Sequence, residues 1–228
     1  ERAESFATPP NPAEIFWLAD SLGEVIDDFT IAGIAPEKLK QLVPEELAEN
    51  WQKVLEFLDV ALTAWPAILA ERGRIDAATA RNERLLRQAG AAGFVYGERP
   101  VIAAGSTGSI PATARLLSVI ARLPRGAVVL PGLDPALDER SWRELAAEKP
   151  HPSACGHPQF GLRKLLGTIG ADRAEVNAVG AVAPALTARA RLVAEALRPA
   201  ETTDMWAASR GLAGDLVAQG ALAEMALV

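Results

Sequence analysis

The stretch that decides the fold is Arg99-Pro100-Val101-Ile102-Ala103-Ala104-Gly105-Ser106-Thr107-Gly108-Ser109-Ile110-Pro111-Ala112-Thr113-Ala114-Arg115-Leu116-Leu117. Val101 to Ala104 is a short apolar run without alternation, the pattern of a central strand of a parallel sheet covered on both faces. Gly105 and Gly108 permit a sharp reversal. Ser109 is a candidate N-cap, and Pro111 suits the first turn of a helix. Ala114, Leu117, Ser118 and Ala121 then recur at helical spacing. Beyond the breaker Pro124-Arg125-Gly126 lies a second apolar run, Ala127 to Leu130, closed by Pro131-Gly132. Strand, helix and strand make one βαβ unit over 100–131, with an expected right-handed crossover.

On the N-terminal side the chain reads as helical. Asn11-Pro12-Ala13-Glu14 has the form of a capping box with proline at the first position. Ile15, Leu18, Leu22, Val25, Ile26 and Phe29 mark one apolar face ending near Asp28. Pro36 begins a short helix to about Leu42, and Pro44 opens the longest one. In that helix Leu47, Trp51, Val54, Leu55, Leu58, Leu62, Trp65 and Leu69 keep helical spacing, and Pro66 is expected to kink or split it. Asp76 caps a helix over 77–91, whose Arg81, Arg84 and Arg87 form either a solvent face or a DNA contact. Gly90 to Gly97 reads as a loop.

On the C-terminal side a helix containing Trp142 runs to about Glu148. Residues 149–158 form a proline-rich loop, and Pro158 starts a helix with Phe160, Leu162, Leu165 and Leu166. A further helix spans Ala181 to Leu197. Thr202 or Thr203 caps a last one from about Asp204. Three regions result: helical 1–98, a strand–helix–strand core with following helices over 99–170, and helical 171–228.

Half of the 228 residues are hydrophobic, ample for a core. One cysteine, Cys155, precludes an internal disulfide and suits a reducing cytoplasm. No apolar run approaches the ~20 residues of a membrane span. The formal charge of −6 argues against a stand-alone nucleic-acid binder, but it is unevenly spread. Residues 1–70 carry 13 acidic and 4 basic side chains, whereas 151–198 carry 3 acidic and 6 basic. The modest basic excess of the second region reads either as a solvated surface or, if any face of the chain meets a phosphate backbone, as that face.

Gly105-Ser106-Thr107-Gly108-Ser109 sits where backbone N–H groups cradle phosphates. It lacks the lysine of a P-loop and the spacing of a dinucleotide fingerprint, and Ala104 breaks the nucleophile-elbow pattern around Ser106. A tight strand-to-helix turn is the simpler reading. His151, Cys155 and His157 match no zinc spacing, and no metal site is assigned. The tryptophans are read as core residues, with base stacking the competing role for Trp142 and Trp206.

The quoted stretch, continued through Asp134 and followed by Leu137-Asp138-Glu139-Arg140-Ser141-Trp142 and by His157-Pro158-Gln159-Phe160-Gly161-Leu162-Arg163-Lys164, resembles the AddB subunits of bacterial AddAB helicase–nucleases, in their alphaproteobacterial form. The resemblance is dense from about Arg99 to Ile169 and looser outside. It implies a degenerate P-loop fold of the superfamily 1 helicase type, an α/β core that is mainly helical, with a short parallel sheet and helical insertions. AddB subunits are several times longer, so the chain is expected to be an internal piece of one. A missing initiator methionine and an apolar helical pattern running to the last residue fit that expectation.

In related helicases the first strand ends in an acid that holds Mg²⁺, followed by a residue that positions water. Ala104 and Gly105 stand at those places. The resemblance thus implies a helicase half without ATPase, scaffolding a cytoplasmic double-strand-break repair machine. DNA and an AddA-type subunit are the implied partners, and no membrane is involved. ATP, Mg²⁺ and an iron–sulfur cluster belong elsewhere in such a complex, and this chain is expected to hold no cofactor. The candidate DNA-facing residues are Ser106, Thr107, Ser109, Arg163 and Lys164. Two alternatives are a small phosphate-ligand enzyme or module using Gly105–Ser109, and a helical interaction module with an exposed patch at Leu212, Leu216 and Leu222.

Overall fold

The structure is a computed structural model that describes residues 11–35, 38, 49–147 and 151–223, with the backbone alone at 49–53. The helices expected to start at Pro36 and at Pro44 begin outside the described residues. The chain divides into two compact units, Glu1–Gly90 with Ile110–Thr113, and Ala91–Ser109 with Ala114–Val228.

The first unit is helical. In α1, Pro12–Ala32, Asn11 Oδ1 accepts from Glu14 N at 2.9 Å, and Glu14 Oε2 accepts from Asn11 N at 2.9 Å. This capping box satisfies two of the orphan donors of a helix start. Gly33, at φ 64°, ends α1, with Ile34 N donating to Phe29 O. The helix α2, Glu49–Glu71, continues through Pro66 as one helix rather than splitting there. Asp76 caps α3, Ala77–Tyr96, accepting from Thr79 N at 2.7 Å and from Thr79 Oγ1 at 2.6 Å. Asn82 Nδ2 donates to Thr30 O at 2.8 Å, fixing α3 to the last turn of α1. Ile26, Leu62 and Ala78 are the buried apolar residues of α1, α2 and the start of α3 among the described residues. Trp65 is exposed rather than a core residue, because it lies on the rim of the apolar groove that Ile26, Leu62 and Leu69 also line.

The division between the units falls within α3. This helix runs through Gly90 and Gly93, where a loop was expected. The methyl groups of Ala89 and Ala92 are buried on its inner face, and that packing outweighs the glycine propensity cost of about 1 kcal/mol each. Gly97, at φ 54°, stops it, and Arg99 turns its guanidinium back onto the Val95 and Tyr96 carbonyls.

The second unit opens with the predicted βαβ element. β1, Val101–Ala104, and β2, Gly126–Val129, are parallel, with Ala103 opposite Val128, and α4, Pro111–Ile120, connects them. Ala114 and Leu117 of α4 pack with Leu165 against Ala103 and Val128. Leu165 belongs to α7, Phe160–Ile169, so α4 and α7 both cover one face of the sheet. Among the described residues the strands are therefore covered on that face, not on both. Ile102 is 69% exposed and Val129 37% exposed on the other face. Gly126 is required where it stands, since a Cβ there would overlap the Ile120 carbonyl oxygen.

Beyond β2 lie α5, Glu139–Glu144, and α6, Pro152–Cys155. α5 is shorter than predicted, and Leu145 turns inward at its end. α6 is a single helical turn inside the expected proline-rich loop, started by Pro152 at its first position and by the His151 ring accepting from Ser153 N. Leu137, Trp142, Leu145, Ala154 and Leu166 form the core here. α8, Pro184–Ala196, pairs with α9, Trp206–Ala218, through Ala188, Leu216 and Ala221. A 3₁₀ turn over Ala200–Met205 occupies the place predicted for the start of the last helix. With Leu216 fully buried and Leu212 packed against the same cluster, the patch expected at Leu212, Leu216 and Leu222 does not form; Leu222 alone of the three is exposed.

Candidate functional site

In a parallel sheet, ligands gather where the strands deliver their C-terminal ends to the loops. Two loops lie there. After β1, Gly105 takes φ 80° and its N–H donates to Val129 O at 3.2 Å, the last rung of the ladder. Ser106 Oγ then accepts from Gly108 N at 3.2 Å. Gly108, at φ 61°, lies flat on Leu165, and a Cβ there would come 2.6 Å from Leu165 Cδ1. The turn thus uses the Gly108 N–H internally, which removes a donor that a phosphate cradle would need. Thr107 and Ser109 are exposed, and Ser106 is half-buried.

After β2, Gly132 takes φ 67°. The buried amide of Gln159 clamps this loop from both sides. Its Nε2 donates to Gly132 O at 2.9 Å, and its Oε1 accepts from Asp134 N at 3.0 Å. Asp134 Oδ1 is itself engaged by Ala136 N at 2.7 Å. Ala104 is exposed at the end of β1 and Gly105 follows it. Neither position offers a side-chain oxygen to hold Mg²⁺ or to orient water.

Arg163 and Lys164 lie on α7, away from the covered face that Leu165 makes. They line a shallow groove of about 360 Å³ with Leu145, Ala147, Phe160 and Gly167. The Arg163 guanidinium stacks on Trp142 at 5.3 Å, and Arg173 approaches the same ring at 4.7 Å. Trp142 is only 5% exposed, which leaves no ring face open to a base. Arg163 Nε is buried without a hydrogen-bond partner. Lys164 is exposed. The groove contains no residue of the Ser106–Ser109 turn. The candidate residues therefore form two sets joined through α7: the turn resting on Leu165, and the cation pair on the helix surface.

Trp206, the other tryptophan weighed for stacking, is half exposed, and its Nε1 donates to Glu195 O at 2.8 Å. Arg81, Arg84 and Arg87 are exposed on α3, with Arg87 bonded to Glu83 at 2.6 Å. His157 is partly buried, and its Nδ1 accepts from Gln159 N at 3.1 Å. Desolvation holds its pKa below the ordinary histidine value. Among the described residues no group of His, Cys, Asp and Glu is placed to hold a metal ion.

A buried polar network escaped the sequence reading. Asp138 caps α5, accepting from Ser141 N at 3.1 Å and Ser141 Oγ at 2.7 Å. Ser141 Oγ also meets Thr202 Oγ1 at 2.8 Å. Arg198, its side chain 5% exposed, joins them. Its Nη1 donates to Asp138 Oδ2, and its Nε and Nη2 form a fork on Glu195 at 2.8 and 2.7 Å. Burial works against the Asp138 charge, but the Ser141 hydrogen bonds and the guanidinium outweigh it and hold the carboxyl below its ordinary value. The fork does the same for Glu195. The only sequence signals were Asp138-x-x-Ser141, a capping pattern, and Glu195-x-x-Arg198, a helical ion pair. Arg140 adds a surface bond to Asp204 at 2.8 Å.

No protein-family model, no curated protein and no solved structure matches the chain. Among the described residues no helix is long and apolar enough to cross a membrane.

Proposed function

We propose that the chain is a scaffold segment of an AddB-type subunit: a helicase-like βαβ core without nucleotide chemistry that borders the path of a DNA strand and contacts an AddA-type partner. The observation that carries this reading is the end of β1. A parallel strand delivers its last residues to the position where a nucleotide-hydrolysing core needs an acid, and here those residues are Ala104 and Gly105. The Gly108 N–H, which a phosphate would require, is closed off by Ser106. That also disfavours a small phosphate-ligand enzyme built on this turn.

The groove cations support the DNA side of the reading. Arg163 is held in place by its stack on Trp142, and Lys164 extends into solvent beside it. Pre-oriented cations position a phosphate backbone without reading its sequence. Fluorescence anisotropy of a labelled single strand across a salt series tests this. Two phosphate contacts give a log–log salt slope near −1.4, taking about 0.7 per neutralised phosphate. Arg163→Ala/Lys164→Ala should abolish that slope. Absence of binding at the lowest salt would refute the DNA contact.

A further inference from the structure

Between the 3₁₀ turn at Arg173–Glu175 and α8 the chain is neither helix nor strand. The local sequence accounts for this. Gly180 takes φ 86°, a left-handed conformation that interrupts both regular structures. Pro184 opens α8 and disfavours helical angles at the residue before it, so Ala183 is extended at φ −60° and ψ 143°. The helix expected from Ala181 therefore starts three residues later. The intervening stretch is Asn177-Ala178-Val179-Gly180-Ala181-Val182-Ala183, uncharged and aliphatic after its asparagine.

All seven residues are exposed, Val179 at 81% and Val182 at 64%. Among the described residues no hydrogen bond reaches the backbone of 177–182. A Cβ on Gly180 would meet no atom within 4 Å. Nearby loops of the same unit differ. Ser106 ties the turn after β1, Gln159 clamps the loop after β2, and Asp172 and Glu175 cap the 3₁₀ turn. A peptidase takes up its substrate as an added extended strand, with main-chain hydrogen bonds for affinity and side-chain pockets for choice. Exposed segments of small residues are where chains are nicked most readily. In 178–183 no existing backbone bond has to break first, and alanine and valine are the side chains that a small specificity pocket accepts.

We propose that 178–183 is a site of endoproteolytic cleavage, recognised by a serine-type endopeptidase with a pocket for small aliphatic residues. Water adds across one peptide bond: the C–N bond breaks, the carbonyl carbon becomes a carboxylate, and the nitrogen becomes a new ammonium terminus. The cut leaves the C-terminal piece in place. Its apolar cluster, Ala188, Leu216 and Ala221, shares no residue with the cluster around Trp142 and Leu145, but polar contacts clasp the two pieces. Arg198 donates to Asp138, Ser141 Oγ meets Thr202 Oγ1 at 2.8 Å, and Arg140 reaches Asp204 and the Glu201 carbonyl, each at 2.8 Å.

Limited digestion of the whole chain with pancreatic elastase, read by intact-mass spectrometry, tests this independently of the DNA-binding reading. Complementary fragments divided within 178–183 should form, and under native conditions they should co-elute in size-exclusion chromatography. Val179→Asp/Val182→Asp changes two exposed side chains, so circular dichroism should match the wild type, and cleavage in the segment should slow at least tenfold. The same cut in Arg198→Ala should release the C-terminal piece. A segment that stays intact while any described helix of the second unit is cut would overturn the proposal. So would cleavage of the aspartate variant at the wild-type rate, or wild-type fragments that separate as soon as they form.

Discussion

Replacing Arg198 by alanine gives the sharpest consequence of the buried polar network. The wild-type guanidinium makes three charge-assisted contacts, a fork on Glu195 and a bond to Asp138, from a side chain 5% exposed. Removing one partner of a fully buried ion pair costs about 3–5 kcal/mol. Here both carboxylates keep about a quarter of their side-chain surface in water. Asp138 also retains its bonds to Ser141. Solvation of the orphaned charges reduces the cost, and the expected loss is about 2–3 kcal/mol. Lysine should not restore it, since one ammonium cannot span the Glu195 fork and Asp138 together.

The pH dependence follows from the directions of the shifts. The folded pKa values of Asp138 and Glu195 are depressed, so their contribution is complete above the unfolded carboxylate values near 4 and is lost as pH falls through the lower folded values. The penalty of Arg198→Ala should therefore be full at pH 7 and shrink below about pH 4. Urea unfolding of the second unit, followed by hydrogen exchange in α5 and α8, measures it. A loss below about 0.5 kcal/mol at pH 7, or full rescue by lysine, would refute the reasoning.

Other substitutions probe the elements that place the candidate site. Gly126→Ala forces a Cβ into the Ile120 carbonyl and should prevent the β1–β2 pairing; recovery of a soluble, wild-type-like far-ultraviolet spectrum would contradict this. Gly108→Ala combines a left-handed backbone with a clash on Leu165 and should cost at least 1–2 kcal/mol in thermal unfolding, about the penalty for that conformation alone. Pairing it with Leu165→Ala should give a smaller loss than the sum of the two singles, while additivity would show that the turn does not rest on α7. Gln159→Leu strands the Gly132 carbonyl and the Asp134 N–H, and should lower stability by about 2 kcal/mol and speed amide exchange over 131–134; unchanged exchange there would exclude the clamp.

Local chemistry made much of the fold legible. The βαβ element stood out because Pro111, Pro124 and Gly126 punctuate two four-residue apolar runs, and the caps at Asn11 and Asp76 follow from short side-chain patterns. Four apolar residues in a row do not tell whether one or both faces are covered, and the exposed Ile102 face is the result. Gly90 and Gly93 suggested a loop, but burial of Ala89 and Ala92 on the intervening turns keeps α3 helical. Asp138 and Arg198 are 60 residues apart, and no local pattern joins them. The candidate site was half legible. Arg163 and Lys164 are adjacent in sequence and line one groove, but the 100° step of a helix separates them from Leu165 and the turn it supports. Gln159 carries no local signal of its role, since its two backbone partners lie 25 and 27 residues upstream.

Hydrogen exchange of the whole chain with and without a short single-stranded DNA, at low salt, tests the central claim most directly. The account predicts slower exchange over 105–109 and 160–167, with 12–32 unchanged and no further effect of ATP and Mg²⁺. Uniform exchange with and without DNA, or protection of 105–109 that depends on ATP, would contradict a nucleotide-free scaffold that borders a DNA strand.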